Sequence, residues 1–284
     1  MTQGSYSIAQ NAEIFVIVLL EDVQVSSKQI KNIFMPELRI MNNTNPPKMK
    51  VEVWSDIMCP FCYIGKRNYE KALGEFSNAA EVEIEWHSFQ LDPTIPKHSE
   101  KKENVYQYLA EKKGMSYEKS AELHKALIQT AKAAGLDYHF DKAIVANSFD
   151  AHRMIQLAKT KGLGDEAEER LFRAYFTEGR DFGDHSVLVE LGREIGLAET
   201  ETRAVLNSEE FASKVEQDID EAAALRIQGV PFFVFDRRYA ISGAQPPELF
   251  LSTLQQSFQE WRTANPLSAI PVSEGAVCGP EGNC

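Results

Sequence analysis

The sequence predicts an α/β fold in which strands at both ends of one region are separated by a long helical stretch. Apolar strand patterns occur at 50–55 and 81–86, and they return only at 232–235 and 239–242. The residues between them are rich in Ala, Glu, Lys and Leu and contain several helix-start signals. The strand-forming residues are therefore split into two sets far apart in sequence.

The first strand pair encloses one predicted helix. Residues 50–55 read as a strand, and apolar residues at Tyr69, Ala72 and Phe76 then follow at helical spacing. Pro60 suits the first turn of this helix, because the amide that proline lacks would be unpaired there. Residues 81–86 alternate with period two and predict the second strand.

The helical stretch contains recognisable start signals. Asn147 and Ser148 are typical of a helix N-terminus, and Asp184 predicts another. Asn207 with Glu210 forms a predicted capping box, which opens a helix. The remaining predicted elements are helices within 103–133, at about 165–177 and at about 247–261, and a hairpin turn at 236–238.

Composition and charge exclude several functions. The chain has 284 residues, of which 43% are hydrophobic and 25% charged, and its net charge is −12. This charge gives no electrostatic basis for binding nucleic acid or an anionic membrane. Residues 14–20 fail as a secretory signal because no Lys or Arg precedes them. We therefore expect a cytoplasmic protein without membrane partners.

Cys59 and Cys62 form a Cys-x-x-Cys motif between a predicted strand and a predicted helix. Amides at a helix start stabilise the thiolate, which is the nucleophilic form, so we expect Cys59 to attack disulfides. Cys62 lies one turn further on and would resolve the mixed disulfide. Half a zinc site has the same spacing, but the other cysteines, Cys278 and Cys284, are separated by five intervening residues in the tail.

Gly229, Val230 and Pro231 directly precede an apolar strand. A proline at the start of a strand adopts either the cis or the trans peptide form. Together with the dithiol, the motif favours a cis Val230–Pro231 bond next to the two cysteines. A trans proline that only marks the start of the strand is the alternative.

Five segments together resemble FrnE-type, DsbA-like thiol–disulfide oxidoreductases. They are 54–67, 89–93, 147–153, 183–185 and 228–231. The resemblance runs from about Met49 to the C-terminus and implies a thioredoxin fold with a large α-helical insertion. The 169 positions from Cys62 to Pro231 (231 minus 62) agree with an insertion.

The resemblance also implies a division of the chain into parts. Residues 1–48 are expected to be a poorly structured extension or a start-site artefact, with an edge strand at 14–20 as the alternative. The expected parts of the remainder are a discontinuous thioredoxin-like domain at 49–96 and 209–263, a helical insertion domain at 97–208 and a flexible tail at 264–284.

The resemblance further implies that Asn147, Phe149 and His152 form a face of the insertion that overlooks the dithiol. Their structural alternatives are a helix cap, a core residue and a satisfied histidine. The remaining histidines singled out have no clustered partners in the sequence and are interpreted as structural or solvated; they are His87, His98, His124 and His139.

Phe61 departs from the resemblance, since such proteins more often carry Trp between the cysteines. Phe61 also lacks the imidazole found there in strongly oxidising DsbA proteins. We therefore expect a reduction potential towards the reducing or isomerising side of about −120 to −270 mV. The tail pair Cys278 and Cys284 is either an intramolecular relay for the dithiol, as FrnE-like proteins suggest, or an exposed pair without a role.

The favoured function is a disulfide reductase or isomerase acting on protein or small-molecule disulfides. No bound cofactor and no metal are expected, and glutathione or protein dithiols are the expected exchange partners. One alternative is a glutathione-dependent isomerase similar to 2-hydroxychromene-2-carboxylate isomerases or kappa-class glutathione transferases. Those typically have Ser at the position of Cys59 and need no resolving thiol. The other alternative is a zinc-binding or chaperone-like protein.

Overall fold

The computed structural model describes residues 47–97 and 102–266. The predictions for residues 14–20, for His98 and for the Cys278–Cys284 pair lie outside these residues.

Four strands form a mixed sheet in the order β2-β1-β5-β6. β1 pairs in parallel with β2 and antiparallel with β5, which pairs antiparallel with β6. The four strands are β1 (Met49–Ser55), β2 (Val82–Ser88), β5 (Phe232–Phe235) and β6 (Tyr239–Ser242). The predicted strands thus come together from both ends of the described region into one sheet.

The described residues contain nine α-helices and a two-stranded ribbon. α1 follows β1, and α9 follows β6; the other seven lie between β2 and β5. The helices are α1 (Pro60–Glu75), α2 (Val105–Lys113), α3 (Tyr117–Ala133), α4 (Phe149–Thr160), α5 (Gly164–Arg173), α6 (His185–Glu194), α7 (Glu199–Leu206), α8 (Ala212–Ala224) and α9 (Pro247–Ala264). The ribbon pairs β3 (Glu103–Asn104) with β4 (Ile144–Val145). This is the predicted thioredoxin fold with a large helical insertion.

β1 is the central strand, and helices cover both of its faces. Val51 and Val53 pack with side chains of α1 and α9, among them Tyr69 and Phe250. On the other face, Trp54 packs with residues of and after α8. Because both faces are covered, every residue of β1 except Lys50 is buried, and this includes the charged Glu52.

A separate hydrophobic cluster fills the insertion and reaches the dithiol. It contains Ile57, Cys59 and Cys62 together with side chains from α4, α5 and α6. The residues that follow the C-terminal end of β1 therefore lie where the sheet packs against the insertion.

The structure corrects the prediction of a capping box at Asn207 and Glu210. Asn207 is the C-terminal cap of α7, and α8 begins only at Ala212. Phe211 precedes α8 in a left-handed conformation with φ of 64°. The Ser208 hydroxyl accepts the amide of Glu210 at 3.2 Å. The prediction of a capping box was wrong because the same polar residues are equally suited to the turn that ends a helix.

Other elements differ from the predictions only in detail. The stretch predicted at 165–177 is α5 followed by a wider π-turn at Ala174–Glu178. Gly114, with φ of 63°, ends α2 and thereby divides the stretch 103–133 into two helices. Asp236 and Arg237 both have positive φ, as a tight hairpin turn requires.

Candidate active site

Cys59 occupies the N-cap of α1, and Pro60 begins the helix. Its sulfur lies 3.3 Å from the carbonyl oxygen of Val230. The Val230–Pro231 peptide bond is cis. The structure therefore brings the two sequence motifs together, although they are separated by more than half of the chain.

Cys62 lies behind Cys59 and is fully buried. Burial, together with the neighbouring Cys59, raises the pKa of Cys62 well above its ordinary value. The Asp56 backbone and the Ser55 side chain act in the opposite direction and lower this pKa in part. Both cysteines are free thiols in the structure.

An exposed aromatic ring lies next to the cysteines in the sequence, and the dithiol helix packs closely against the cis-proline loop. Phe61 is 48% exposed. The Tyr138 hydroxyl donates to the Pro60 carbonyl at 2.7 Å, which links α1 to the insertion. Gly65 lies so close to Pro231 that a Cβ there would be 3.0 Å from its ring. Sequence reasoning singled out neither Tyr138 nor Gly65 for these contacts.

Asp56 is a buried residue of the site that sequence reasoning also missed. Its carboxylate accepts hydrogen bonds from the amides of Met58 at 3.2 Å and Leu91 at 2.6 Å. Its carbonyl accepts the amide of Cys59 at 2.9 Å. Burial raises the pKa of this carboxyl group, although His152 and the hydrogen bonds oppose the rise. The available signal was an acidic residue directly after a strand and three positions before a cysteine.

His152 is fully buried against Asp56 and the loop after β2. Its Nε2 lies 2.9 Å from the Phe89 carbonyl and 3.8 Å from Asp56 Oδ1. Burial lowers the pKa of His152 below its ordinary value. His152 therefore lies next to the segment that leads to the dithiol, and Asp56 is the residue of that segment that it approaches.

Asn147, just before α4, and Phe149, its first residue, contact the loop after β2. Asn147 accepts the amide of Phe149 at 2.9 Å and donates to the Ile95 carbonyl at 2.6 Å. The Lys97 ammonium group lies 3.8 Å from the centroid of the Phe149 ring. The described contacts of both side chains are thus with α4 and with residues 90–97. For Asn147, the hydrogen bond to the Phe149 amide corresponds to the helix-cap alternative.

His87 contradicts the expectation that it has no clustered partners. Its Nδ1 lies 2.8 Å from Asp218 Oδ1, and its Nε2 lies 3.4 Å from Glu52 Oε1. The ring stacks on Trp54 at 4.5 Å between centroids. Burial by itself would lower the pKa of His87, but the hydrogen bonds to Asp218 and Glu52 raise it. The partners come from β1 and α8, so sequence proximity could not reveal them.

The structure also describes His124 and His139, two of the histidines interpreted above as structural or solvated. His124 is buried, its Nδ1 lies 2.7 Å from the Ser120 carbonyl, and its ring contacts that of Phe140. His139 lies near the surface, 3.1 Å from Asp137.

A charge cluster joins α1 to α5. The Lys66 side chain is 2% exposed, and its ammonium group lies 3.2 Å from Asp165 and 3.3 Å from Glu169. Glu169 also accepts the Tyr63 hydroxyl at 2.7 Å and forms an ion pair with Arg67. Because Tyr63 and Lys66 follow Cys62 in the same helix, these contacts hold the dithiol helix against the insertion.

Within residues 47–97 and 102–266, no group of three or more His, Cys, Asp or Glu side chains is placed to hold a metal ion. None of the helices in those ranges is both long and apolar enough to cross a membrane.

Comparisons with known proteins agree with this geometry. Residues 50–255 match the model of a family described as a DSBA-like thioredoxin domain. The crystal structure of a "probable DsbA oxidoreductase" from Streptomyces coelicolor is 38% identical, covers 82% of this chain and 97% of that chain, and has a TM-score of 0.70. The uncharacterized protein YwbO of Bacillus subtilis (strain 168) is 26% identical over 203 residues, which are 70% of this chain and 92% of that protein. The cytosolic disulfide reductase DsbM from Pseudomonas aeruginosa shares the fold, at 18% identity over 74% of this chain and 99% of that chain, with a TM-score of 0.54.

Proposed function

Because this chain belongs to the DSBA-like thioredoxin domain family, we propose that it is a thiol–disulfide oxidoreductase that reduces or isomerises disulfides. Cys59 is the nucleophile and Cys62 is the resolving cysteine. The observation that carries the proposal is the position of Cys59 at the start of α1, with its sulfur 3.3 Å from the Val230 carbonyl. We also propose that the chain belongs to the FrnE-type subgroup.

The proposed reaction has two exchange steps. The Cys59 thiolate attacks a substrate disulfide, so that a Cys59–substrate disulfide forms and one substrate thiolate leaves. The Cys62 thiolate then attacks the Cys59 sulfur, forms the Cys59–Cys62 disulfide and releases the second substrate thiolate. Two electrons pass from the dithiol to the substrate, and another dithiol or two glutathione molecules restore the reduced enzyme.

The helix start supports the role of Cys59 in the first step. Amides in the first turn of a helix have no partners within the helix and point towards its N-terminus, where they favour an anion. Phe61 supplies no additional hydrogen-bond donor beside the sulfur, in contrast to an imidazole. We therefore propose a potential towards the reducing or isomerising side, which equilibration against glutathione buffers would measure.

We propose protein or small-molecule disulfides as substrates, glutathione or protein dithiols as exchange partners, and no bound cofactor. Exposed Phe61, which lies between the two cysteines in the sequence, supports an apolar substrate segment at this position. The proposed location is the cytoplasm, which fractionation of cells with an antibody against the chain would test. An exclusively membrane-bound or secreted pool would contradict it.

Insulin reduction and the refolding of scrambled ribonuclease test the proposed activity. We expect activity from the wild type and none from Cys59→Ser. Cys62→Ser should accumulate a mixed disulfide and lose turnover, because it lacks the resolving thiol. Full insulin-reduction turnover by Cys62→Ser would contradict the resolving role of Cys62, whereas isomerisation of scrambled ribonuclease can proceed through Cys59 alone.

We further propose that Cys278 and Cys284 relay electrons to the dithiol. Replacing both by Ser should slow multiple turnover, while the first attack by Cys59 continues at its normal rate. The matched control is a single replacement of Ser268 by Ala, which alters the same tail without removing sulfur. Unchanged turnover of the double Ser variant would refute the relay.

The division into a thioredoxin-like domain at 49–96 and 209–263 and an insertion at 97–208 also stays a proposal, as do the extension at 1–48 and the tail at 264–284. Limited proteolysis with mass spectrometry would test these boundaries. We expect early cuts before residue 49 and after residue 264.

A further inference from the structure

The thiol and the thiolate of Cys59 need different hydrogen-bond partners. In the thiol form, its S–H donates to the Val230 carbonyl, with the sulfur 3.3 Å from that oxygen. The Cys59 side chain accepts no hydrogen bond from the amides of α1, although Cys59 is the N-cap of this helix. A thiolate has no hydrogen to donate, and a carbonyl oxygen repels it. Once it is formed, the thiolate therefore needs a donor from another group.

The start of α1 offers one amide for this purpose. An N-cap side chain ordinarily accepts from the amide of the second or third helical residue, which here are Phe61 and Cys62. The Cys62 amide already donates to the Cys59 carbonyl at 3.0 Å, and Pro60 has no amide hydrogen. Among these three described residues, Phe61 is the one whose backbone amide remains for the anion, although its side chain carries no donor.

The carbonyl of the same peptide group accepts a hydrogen bond from the insertion. The Pro60 carbonyl and the Phe61 amide form one peptide group, and the Tyr138 hydroxyl donates to that carbonyl at 2.7 Å. A hydrogen bond to the carbonyl oxygen polarises the peptide group and makes its amide a stronger donor, most of all where water is excluded. Tyr138 is 3% exposed, so water does not compete for this bond.

Packing holds the Tyr138 ring in place, and burial keeps its hydroxyl protonated. The ring stacks on Phe176 at 4.6 Å between centroids and meets the edge of Phe140 at 5.3 Å. Burial raises the pKa of Tyr138, and the nearby Cys59 raises it further. The hydroxyl therefore remains a donor at the pH values at which thiols ionise.

The other titratable groups that interact with Tyr138 are Tyr63, Cys62 and Arg67, all from α1. Tyr63 stacks on the Tyr138 ring at 6.1 Å, but its hydroxyl donates to Glu169 at 2.7 Å. Arg67 forms an ion pair with the same carboxylate. These two side chains of α1 thus bond to a side chain of α5, whereas Tyr138 donates to the backbone of α1.

We propose that Tyr138 is a positioning residue for the nucleophile, because its hydrogen bond to the Pro60 carbonyl orients and strengthens the Phe61 amide that donates to the Cys59 thiolate. The inference rests on the proposed dithiol exchange. When Cys59 loses its proton to water, its sulfur turns from the Val230 carbonyl to this amide. The insertion thereby stabilises the anion through a backbone peptide group, at a site where the side chain between the cysteines supplies no donor.

The pH dependence of alkylation tests this role. The reduced protein reacts with iodoacetamide at a series of pH values, and mass spectrometry of its peptides assigns the rate to Cys59. For Tyr138→Phe we expect a reaction about threefold slower below the midpoint of the profile, which moves up by about half a pH unit, because the Phe61 amide loses its polarisation. The limiting rate at high pH should stay within about twofold of the wild type, since the thiolate is then fully formed.

Two further tyrosines of α1 supply the controls. Tyr69 is 1% exposed, and its hydroxyl has no hydrogen-bond partner in the described part of the chain. Tyr69→Phe should therefore leave the profile unchanged. Tyr63→Phe removes the other hydroxyl that joins α1 to the insertion, and it should not move the midpoint either. A shift in Tyr63→Phe equal to that in Tyr138→Phe would indicate general loosening and would overturn the proposal.

A change of the opposite sign separates hydrogen-bond strength from packing. 3-Fluorotyrosine incorporated at position 138 alone keeps the hydroxyl and makes it a stronger donor, because fluorine withdraws electrons. We expect the midpoint of its profile to lie below that of the wild type.

An unchanged profile in folded Tyr138→Phe overturns the proposal. If Tyr138→Phe does not fold, an unchanged or higher midpoint with 3-fluorotyrosine overturns it instead. A wild type that does not reduce insulin would contradict the proposed function itself, whatever the alkylation profiles are.

Discussion

Gly65 lies on the side of α1 that contacts Pro231, and it permits the closest packing in the site. A Cβ at this position would lie 3.0 Å from the Pro231 ring and 3.4 Å from Phe233. Neither neighbour is flexible, because one is a proline ring and the other a fully buried core residue. The absence of a side chain at Gly65 therefore sets the distance between the dithiol helix and the cis-proline loop.

We expect Gly65→Ala to lower the free energy of unfolding by about 1–3 kcal/mol, the usual cost of overpacking. Gly74→Ala is the matched control in the same helix, since a Cβ there meets nothing within 4 Å. It should instead raise the free energy of unfolding by about 0.5–1 kcal/mol through helix propensity. Urea unfolding curves measure both, and equal effects of the two variants would contradict the packing argument.

The environment of His87 leads us to expect that the free energy of unfolding depends on pH. Its pKa is raised in the folded state by Asp218 and Glu52 against the effect of burial. A raised folded pKa contributes stability that is fully present below the unfolded value of about 6.5 and is lost as the pH rises through the folded value. The pKa values of Glu52 and Asp218 are lowered despite burial, so both stay ionised across this window.

As the pH rises above the unfolded pKa of about 6.5, the wild type should therefore lose unfolding free energy that His87→Gln does not lose. The measurement is urea unfolding at several pH values. His139→Gln, at a histidine near the surface, is the control and should follow the wild type. Parallel curves for the wild type and His87→Gln would refute the role of this ion pair.

At the scale of elements, ion pairs as well as apolar packing hold α1 against α5. Lys66 is nearly inaccessible, whereas its partners Asp165 and Glu169 are 44% and 31% exposed. Solvent therefore screens the pairs in part, and their contribution is smaller than that of a fully buried pair. The structural consequence is a fixed orientation of the dithiol helix relative to the insertion.

We expect Lys66→Met to lower the free energy of unfolding by about 2 kcal/mol, because Asp165 loses its cation while Glu169 keeps only Arg67. Lys50→Met removes the exposed pair with Glu85 on β1 and β2. This control should change stability by less than about 0.5 kcal/mol. Thermal unfolding of both variants at low and high salt is the measurement, and equal losses would contradict the difference in burial.

At the scale of the whole molecule, the dithiol belongs to the core of the insertion as well as to the sheet. Cys59 and Cys62 share one hydrophobic cluster with residues of α4, α5 and α6. Trp54, at the end of β1, also donates to the Asp218 carbonyl of α8 at 3.0 Å. The sheet and the insertion therefore depend on each other for burial of the residues next to the site.

This shared core predicts a single cooperative unfolding transition for the described part of the chain. Tryptophan fluorescence reports Trp54 and Trp86 in the sheet, and far-ultraviolet circular dichroism reports mainly the helices. We expect the two urea curves to coincide. Separate midpoints would show that the insertion unfolds independently of the sheet.

The order of strands and helices was predictable because each element depends on a local pattern of apolar residues, caps and turns. The strands β1, β5 and β6, the start of α1 and the Asp184 cap agree with the structure to within a residue or two. The capping box at Asn207 failed for a local reason, since its polar residues fit a helix end as well as a helix start. The Cys-x-x-Cys motif and the Val230–Pro231 segment could also be recognised from the sequence, because each is a short segment with a known chemical role.

The sequence by itself thus determined the α/β class, the interrupted sheet and the two segments that meet at the dithiol. Only the tertiary structure decided how the buried polar groups pair with one another. Asp56 reaches Leu91 across 35 positions, and His87 reaches Asp218 across 131. Such pairs leave no local signal in the sequence, because the packing of whole helices against the sheet determines which residues meet. Burial of an unpaired charge is costly, so each buried charged group needs a partner that only this packing can supply.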